Sequence, residues 1–504
     1  MKFQDMLEGV ETLSQRGGAE VTGLEYDSRR IKPGNLFVAM RGESSDGNRF
    51  IDQAISSGAV AIVTDSPSEG ERMGVAWARV AHGRRAVATL SANFYRHPIE
   101  KIAATGITGT NGKSTTAFLV EAILKAAKRR SLLIGTIEYH VAGRILPAPH
   151  TTPEALELNR LFAEASSEGV NEAVMEVSSH ALEQERVYGI PFDVAAFTNL
   201  TRDHLDYHHT MEQYFAAKRI LFEGCGTSAP RVSVLNGDDE YGVKLIDMSR
   251  KRSQVLTYGL SHGDFHPIKA EMTPRGTRLA IATPAGSLDT FSQLIGRVNV
   301  YNILCAAAIG HARGCSGEAI SEGISTLTHV PGRFQRVDCG QPFTVVVDYA
   351  HTDDALRNLT LLAREFVRQA GQKGRVLTLF GCGGDRDRNK RPLMGEAAGR
   401  GSDMVFLTSD NPRGEDPLSI INDALVGLQK SGVKYKIEPD RRAAIALAIG
   451  EANDGDIVLL AGKGHEKMQI TRMGPLPFDD VEVARQALSA AGFDCAGYAA
   501  AGKN

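Results

Sequence analysis

Short apolar runs alternate with amphipathic stretches along almost the whole chain, the pattern of strands joined by crossover helices. Near the N-terminus, residues 35–40 and 59–64 read as strands, and Phe50, Ala54, Ile55 and Ala59 mark a helix face between them. Residues 101–104 lead as a strand into a glycine-rich loop, and a helical pattern at 117–120 and 123–124 leads out. Further strands are predicted at 173–177, 194–198 and 232–235. Beyond residue 333 come four more, at 344–348, 376–380, 404–408 and 457–460, and each runs into a polar or glycine-rich loop. The prediction is an α/β protein with mostly parallel sheets, without internal repeats or low-complexity linkers. At about 150 residues per domain, 504 residues suggest three domains. The breaks are placed near His97-Pro98 and after Pro331-Gly332-Arg333, giving segments 1–98, 99–333 and 334–504.

The glycine-rich loop is the most informative local feature. Residues 106–116 read Gly-Ile-Thr-Gly-Thr-Asn-Gly-Lys-Ser-Thr-Thr between a strand and a helix. Glycines there let backbone N–H groups turn toward one anion, and the helix start adds unpaired N–H groups and its positive dipole end. Lys113 can reach the outer phosphates of ATP, and Ser114 or Thr115 can offer a hydroxyl to Mg²⁺. The pattern departs from the general P-loop at Ile107, where a glycine is usual.

Composition narrows the classes. Hydrophobic content of 42% and charged content of 23% are ordinary for a globular protein, and a net charge of −3 gives no reason to expect nucleic acid or an acidic membrane as partner. Six scattered cysteines (225, 305, 315, 339, 382 and 495) show no paired spacing, so free thiols in a reducing compartment are expected. Acidic residues stand where a signal peptide needs an apolar core, and no apolar run approaches the ~20 residues of a membrane span. The expectation is a cytoplasmic monomer.

Glu176, Asp203 and His204 each follow a predicted strand, and a nucleotide-bound Mg²⁺ takes one or two such ligands from a protein. His204, His208 and His209 also permit a zinc reading, although the glutamate of H-E-x-x-H is missing. In open parallel sheets ligands bind beyond the carboxyl ends of the strands, so the four loops after residue 348 describe a second ligand-binding face.

Together these residues resemble the Mur ligase family, the ATP-dependent enzymes that build the peptidoglycan stem peptide, and within it the branch adding the third residue. The resemblance is carried by Thr108-Gly109-Thr110-Asn111-Gly112-Lys113, by Glu176 and His204, by the stretch from Tyr214 to Lys218, by Asn299-Val300-Tyr301-Asn302, by Pro331-Gly332-Arg333 and by Asp348-Tyr349-Ala350-His351. It implies a uridine-nucleotide domain, a central P-loop ATPase domain and a C-terminal Rossmann-like domain for the incoming amino acid. ATP would be held by residues 109–115 (Gly109, Thr110, Asn111, Gly112, Lys113, Ser114 and Thr115) with Asn299, Asn302, Asp348 and His351. Magnesium would be held by Ser114, Glu176, His204 and Lys218, the lysine as its carbamate. Lys113, Lys218, His204 and Arg333 would carry catalysis.

The resemblance places the UDP-linked acceptor at Tyr26, Ser28, Glu43, Ser44, Ser45, His150, Thr151, Thr152, Ser178, Gln184 and Arg186, with His150 standing where the family usually shows asparagine. Asp410-Asn411-Pro412-Arg413, with Arg386, Gly462 and Glu466, matches the family's diaminopimelate pocket. The implied activity joins meso-2,6-diaminopimelate to UDP-N-acetylmuramoyl-L-alanyl-D-glutamate through an acyl phosphate. The alternatives are a lysine-adding ligase of the same type, a ligase like folylpolyglutamate synthase, and a P-loop kinase or ATPase.

Overall fold

The computed structural model describes residues 1–42, 45–67, 72–273, 275–369 and 374–495. Glu43 and Ser44 of the expected acceptor site lie outside these residues. The alternating pattern folds into α/β layers, as predicted. In the first sheet, Gly23–Glu25, Asn35–Ala39, Ala61–Thr64 and Ala76–Val80 run parallel in that spatial order, and Thr12–Arg16 adds an antiparallel edge. The helix expected around residues 50–59 is confined to Ile51–Ser56, because the Ser56-Ser57-Gly58 turn stops it. Ile51 and Ala54 face the core, while Phe50 is 39% exposed in the preceding 3-10 turn and Ala59 already leads to the next strand.

The central sheet has eight strands. Six are parallel, in the order Gln254–Tyr258, Val232–Asn236, Phe192–Phe197, Ala103–Thr108, Glu172–Glu176 and Ser131–Ile134. Glu138–Val141 and Arg144–Pro147 extend it as antiparallel strands. The strand before the glycine loop therefore lies between two later ones. Its register pairs Ile107 with Glu176 and Thr108 with Phe197, which brings their carboxyl ends together. Helix Lys113–Ala126 buries Leu119, Val120 and Ile123 against this sheet and against the almost wholly apolar helix Arg297–Ala312. The antiparallel strands His266–Thr273, Gly276–Thr283 and Gly286–Ser292 form an additional sheet that was not expected.

The last large sheet runs Gln335–Val337, Thr344–Asp348, Ile457–Ala461, Val376–Phe380, Met404–Leu407 and Lys434–Ile437, all parallel except the first. Helices cover both faces, so its middle strands are buried throughout, as parallel sheets require. One expectation is corrected here. Cys339 and Cys495 form a disulfide across 156 residues, because helix Asp480–Ala490 packs back onto the first two strands of this sheet; Cys225, Cys305, Cys315 and Cys382 are free and buried. Sequence spacing carries no trace of a contact made by the chain's return. No helix among the described residues is long and apolar enough to cross a membrane.

Candidate functional site

The loop after Ala103–Thr108 is shaped by two glycines. Gly109 has φ +145°, and a Cβ there would lie 1.8 Å from Thr198 Oγ1; Gly112 has φ +88°, and a Cβ there would lie 2.4 Å from Asn302 Oδ1. Neither position admits a side chain. Lys113 opens the helix, and its ammonium donates to the carbonyls of Gly109 and Thr110 at 2.9 and 2.8 Å. Asn111 N–H donates to Asn199 Oδ1, while Asn302 Nδ2 donates to Asn299 Oδ1, so the expected nucleotide residues are mutually braced. Thr115 is buried within the first helical turn.

Lys218 approaches from helix Met211–Glu223. It is 1% exposed, donates to the same Gly109 carbonyl at 2.9 Å and lies 4.5 Å from the centre of the Tyr214 ring. Burial, and then the neighbouring Lys113 charge, push its pKa well below the usual lysine value. Burial lowers Lys113 in the same way, with a Glu176 charge opposing. Two buried ammonium groups sharing one carbonyl are an unfavourable pair, and a carbamate on Lys218 would reverse one of those charges.

Glu176 ends its strand with both carboxylate oxygens oriented: Thr136 N–H donates to Oε1 at 2.8 Å, and Thr136 Oγ1 donates to Oε2 at 3.0 Å. Among the described residues no group of three or more His, Cys, Asp and Glu is arranged to hold a metal ion. This leaves the zinc reading without support: His208 Nε2 pairs with Ser179 Oγ at 2.8 Å and its Nδ1 lies 3.0 Å from Glu183. The carboxylate of Glu176 and the hydroxyl of Ser114 are hard oxygen donors of the kind magnesium takes.

Arg333 reaches the start of helix Lys113–Ala126. Its Nη2 donates to Ser114 Oγ at 3.2 Å, its guanidinium lies 4.9 Å over the Tyr349 ring, and its buried Nε has no partner among the described residues. An unspent donor beside the loop suits an anionic ligand. Asp348 is spent on structure, accepting from Phe334 N–H at 2.6 Å and Ala350 N–H at 2.9 Å, and burial raises its pKa.

Asp203 joins the central and C-terminal segments. Its carboxylate lies 3.4 Å from His204 Nε2 and 3.8 Å from both His351 Nε2 and Lys390 Nζ. Burial alone would raise Asp203, but His204, Lys390 and His351 hold it below the ordinary carboxylate range. Burial lowers both His204 and His351, leaving neutral imidazoles at neutral pH. The neighbouring Arg202 and Asp387, 3.6 Å apart, make a second pair of opposite polarity across the same boundary.

A cavity of about 180 Å³ opens between the two segments, lined by Asp203 and His204 of the central segment and by His351, Arg386, Asp410, Asn411, Arg413, Gly462 and Glu466 of the C-terminal one. Pro412 does not line the cavity; it is buried, and its carbonyl accepts from Glu415 N–H. Arg413 Nη1 donates to the Gly384 carbonyl at 2.8 Å, and Arg413 N–H is fixed by the Ile470 carbonyl.

The acceptor residues split into two groups. Thr151 Oγ1 lies 3.0 Å from Thr136 Oγ1, Thr152 Oγ1 donates to the Glu176 carbonyl, and Ser178 N–H donates to Thr152 Oγ1, so this group surrounds Glu176. Arg186 donates to Gln184 Oε1 and to the Thr152 carbonyl and pairs with Glu154. His150 is exposed, and its carbonyl accepts from Tyr139 OH. Tyr26 and Ser28 belong to the first segment, where Tyr26 OH donates to Glu157 and Ser28 Oγ meets Gln53 at 3.5 Å; Ser45 offers its carbonyl to Gly42 N–H. Thr136 and Lys390 were missed by sequence reasoning. The signal for Thr136 was available, since it follows Gly135 at the end of a central strand.

Comparison with known proteins agrees with this geometry. Residues 107–310 match the Mur ligase middle domain, 332–464 the Mur ligase glutamate ligase domain and 20–95 the Mur ligase family catalytic domain. The chain is 52% identical to the UDP-N-acetylmuramoyl-L-alanyl-D-glutamate--2,6-diaminopimelate ligase of Solibacter usitatus, over 94% of each chain. It is 43% identical to the ligase of the same name from Geobacillus thermodenitrificans, over 97% of this chain and 99% of the other. A solved structure of a ligase with that name superposes with a TM-score of 0.67 at 32% identity, covering 97% of this chain and 99% of the other. Mycobacterium tuberculosis folylpolyglutamate synthase shares the fold alone, with a TM-score of 0.62 at 19% identity over 81% of this chain and 96% of that one. Relatives this similar across nearly the full length leave one conclusion: the chain belongs to the Mur ligase family of ATP-dependent amide ligases.

Proposed function

We propose that this protein joins meso-2,6-diaminopimelate to the D-glutamate γ-carboxylate of UDP-N-acetylmuramoyl-L-alanyl-D-glutamate, in the cytoplasm and at the expense of ATP. The observation that carries the reading is the shared cavity. It gathers Arg386 and Arg413 into one pocket with His204 and Asp203. A kinase or simple ATPase has no use for such a pocket. Relatives of this name are the most similar proteins reported above, and they favour the UDP-linked acceptor over a folate-linked one.

Amide formation from a carboxylate needs a better leaving group than oxide. A γ-carboxylate oxygen attacks the γ-phosphorus of ATP and ADP departs. The amine then attacks the acyl carbon, loses a proton, and phosphate leaves. Lys113 and Arg333 counter the negative charge that gathers along this path, and the loop N–H groups hold the nucleotide in place. His351, kept neutral by burial, lies beside Asp203 and offers an acceptor for the amine proton. Ser114, Glu176, His204 and carbamylated Lys218 would hold a magnesium ion, which when bound screens phosphate from carboxylate. The two threonines and Arg186 near Glu176 bring the acceptor's anionic end to the same point.

Phosphate release should require the UDP-linked acceptor and the amino acid together. Release that ignores the amino acid would place the protein among kinases or ATPases. Lys218→Ala should lose roughly 100-fold or more in rate, as expected when one preorganised charge is removed. Short carboxylic acids such as formate should restore part of it by supplying the missing oxygens. Full activity of Lys218→Ala without additive would make Lys218 an ordinary buried lysine.

A further inference from the structure

Lys463 stands apart from the other cations of the cavity. Its side chain is fully buried, yet it does not line the cavity. All three ammonium protons are spent: on Asn411 Oδ1 at 3.0 Å, Glu466 Oε2 at 2.9 Å and the Met468 carbonyl at 2.7 Å. A buried lysine with its hydrogen-bonding capacity filled is a fixed point of the structure.

Its three partners belong to three different pieces of the pocket. Asn411 lies in the loop after Met404–Leu407, Glu466 in the loop after Ile457–Ala461, and Met468 opens the hairpin Met468–Thr471 and Gly474–Pro477. The hairpin is tied to the first loop again by Gln469 Nε2 donating to the Asp410 carbonyl at 2.7 Å and by Ile470 N–H donating to Asn411 Oδ1 at 2.9 Å. With Oδ1 claimed by two donors, Asn411 must turn its Nδ2 toward Glu466, where it meets Oε2 at 2.8 Å. Glu466 therefore presents a carboxylate held along one edge, and its side chain remains 30% exposed on the cavity side.

We propose that Lys463 is a specificity-positioning residue: through Glu466 and Asn411 it fixes the carboxylate that reads the distal ammonium of the incoming amino acid, while Arg413 reads the distal carboxylate. The inference rests on the diaminopimelate reading above. It separates two functions within one pocket. Lysine keeps the distal ammonium and lacks the carboxylate, whereas 2-aminopimelate keeps the carboxylate and lacks the ammonium. Loss of Lys463 should blur the second distinction and leave the first.

The test measures kcat and KM for diaminopimelate, lysine and 2-aminopimelate in the intact enzyme and in Lys463→Met. Wild type should favour diaminopimelate over 2-aminopimelate by about 100-fold or more, because a site built for a polar group rejects the analogue without it. In Lys463→Met that ratio should fall to within about 3-fold, mainly through KM for diaminopimelate, while a preference over lysine persists. Lys463→Met leaves both Glu466 and Asp410 without the cation they share, so Lys463→Gln, whose amide can still donate to a carboxylate, is measured alongside. It should lower the ratio in the same direction even if Lys463→Met fails to fold. A wild type that does not use diaminopimelate overturns the functional reading itself. A wild type that prefers diaminopimelate, with either variant keeping the full ratio against 2-aminopimelate, overturns the role of Lys463 alone.

Discussion

Lys113→Ala is expected to reduce amide formation by roughly 100- to 1,000-fold, the effect of removing one preorganised charge from a transition state. Its hydrogen bonds in this structure go to its own loop, to the carbonyls of Gly109 and Thr110. Those carbonyls lose a donor in the variant. Alanine, however, has the highest intrinsic helix propensity, and the loop stays fixed by the hydrogen bonds of Thr110 and Asn111 with Asn199. The fold should therefore survive, with thermal unfolding close to wild type and the loss confined to turnover. Near-normal turnover with normal ATP saturation would mean that the loop does not hold the transferred phosphate.

Arg413→Ala should cost about 2–5 kcal/mol in kcat/KM for diaminopimelate, the range for truncating one partner of a buried charge pair, and far less for lysine. The guanidinium is half-buried beside Arg386, and burial followed by that like charge lowers its pKa, so the pocket already bears the cost of gathering cations. An incoming carboxylate offsets that cost, and a planar fork can meet it with two hydrogen bonds. Arg413 has φ +52°, a conformation that alanine adopts no less readily than arginine, so the substitution introduces no fresh backbone strain. Equal losses for both amino acids, or a wild type that already prefers lysine, would remove Arg413 from the specificity account.

The parts of this protein that sequence made legible are those where local chemistry and local structure coincide. The phosphate loop announces itself because glycines at positive φ, a lysine and a helix start must be contiguous. The buried parallel strands were legible because apolar runs with both faces covered have no other explanation. The strands of His266–Thr273 to Gly286–Ser292 alternate more weakly. Leu279 and Ile281 face inward, but most of the outer strands are exposed, and their pattern was read past.

What sequence could not supply is the company residues keep. Lys218 reads as a helix lysine until the fold places it on the Gly109 carbonyl, 109 residues away. Lys463 lies in a loop that was noticed for its glycines, yet its role depends on a side-chain amide 52 residues earlier. The disulfide between Cys339 and Cys495 and the Asp203 junction with Lys390 depend equally on chain return.

The most direct test of the account follows the acceptor's oxygen. UDP-N-acetylmuramoyl-L-alanyl-D-glutamate labelled with ¹⁸O in the γ-carboxylate is turned over with ATP and diaminopimelate, and the released phosphate is weighed by mass spectrometry. Attack of the carboxylate on the γ-phosphorus, followed by expulsion of phosphate from the acyl carbon, transfers one labelled oxygen to each phosphate released with each amide formed. Phosphate free of label, or amide formation without ADP and phosphate, would contradict an acyl-phosphate ligase at this site.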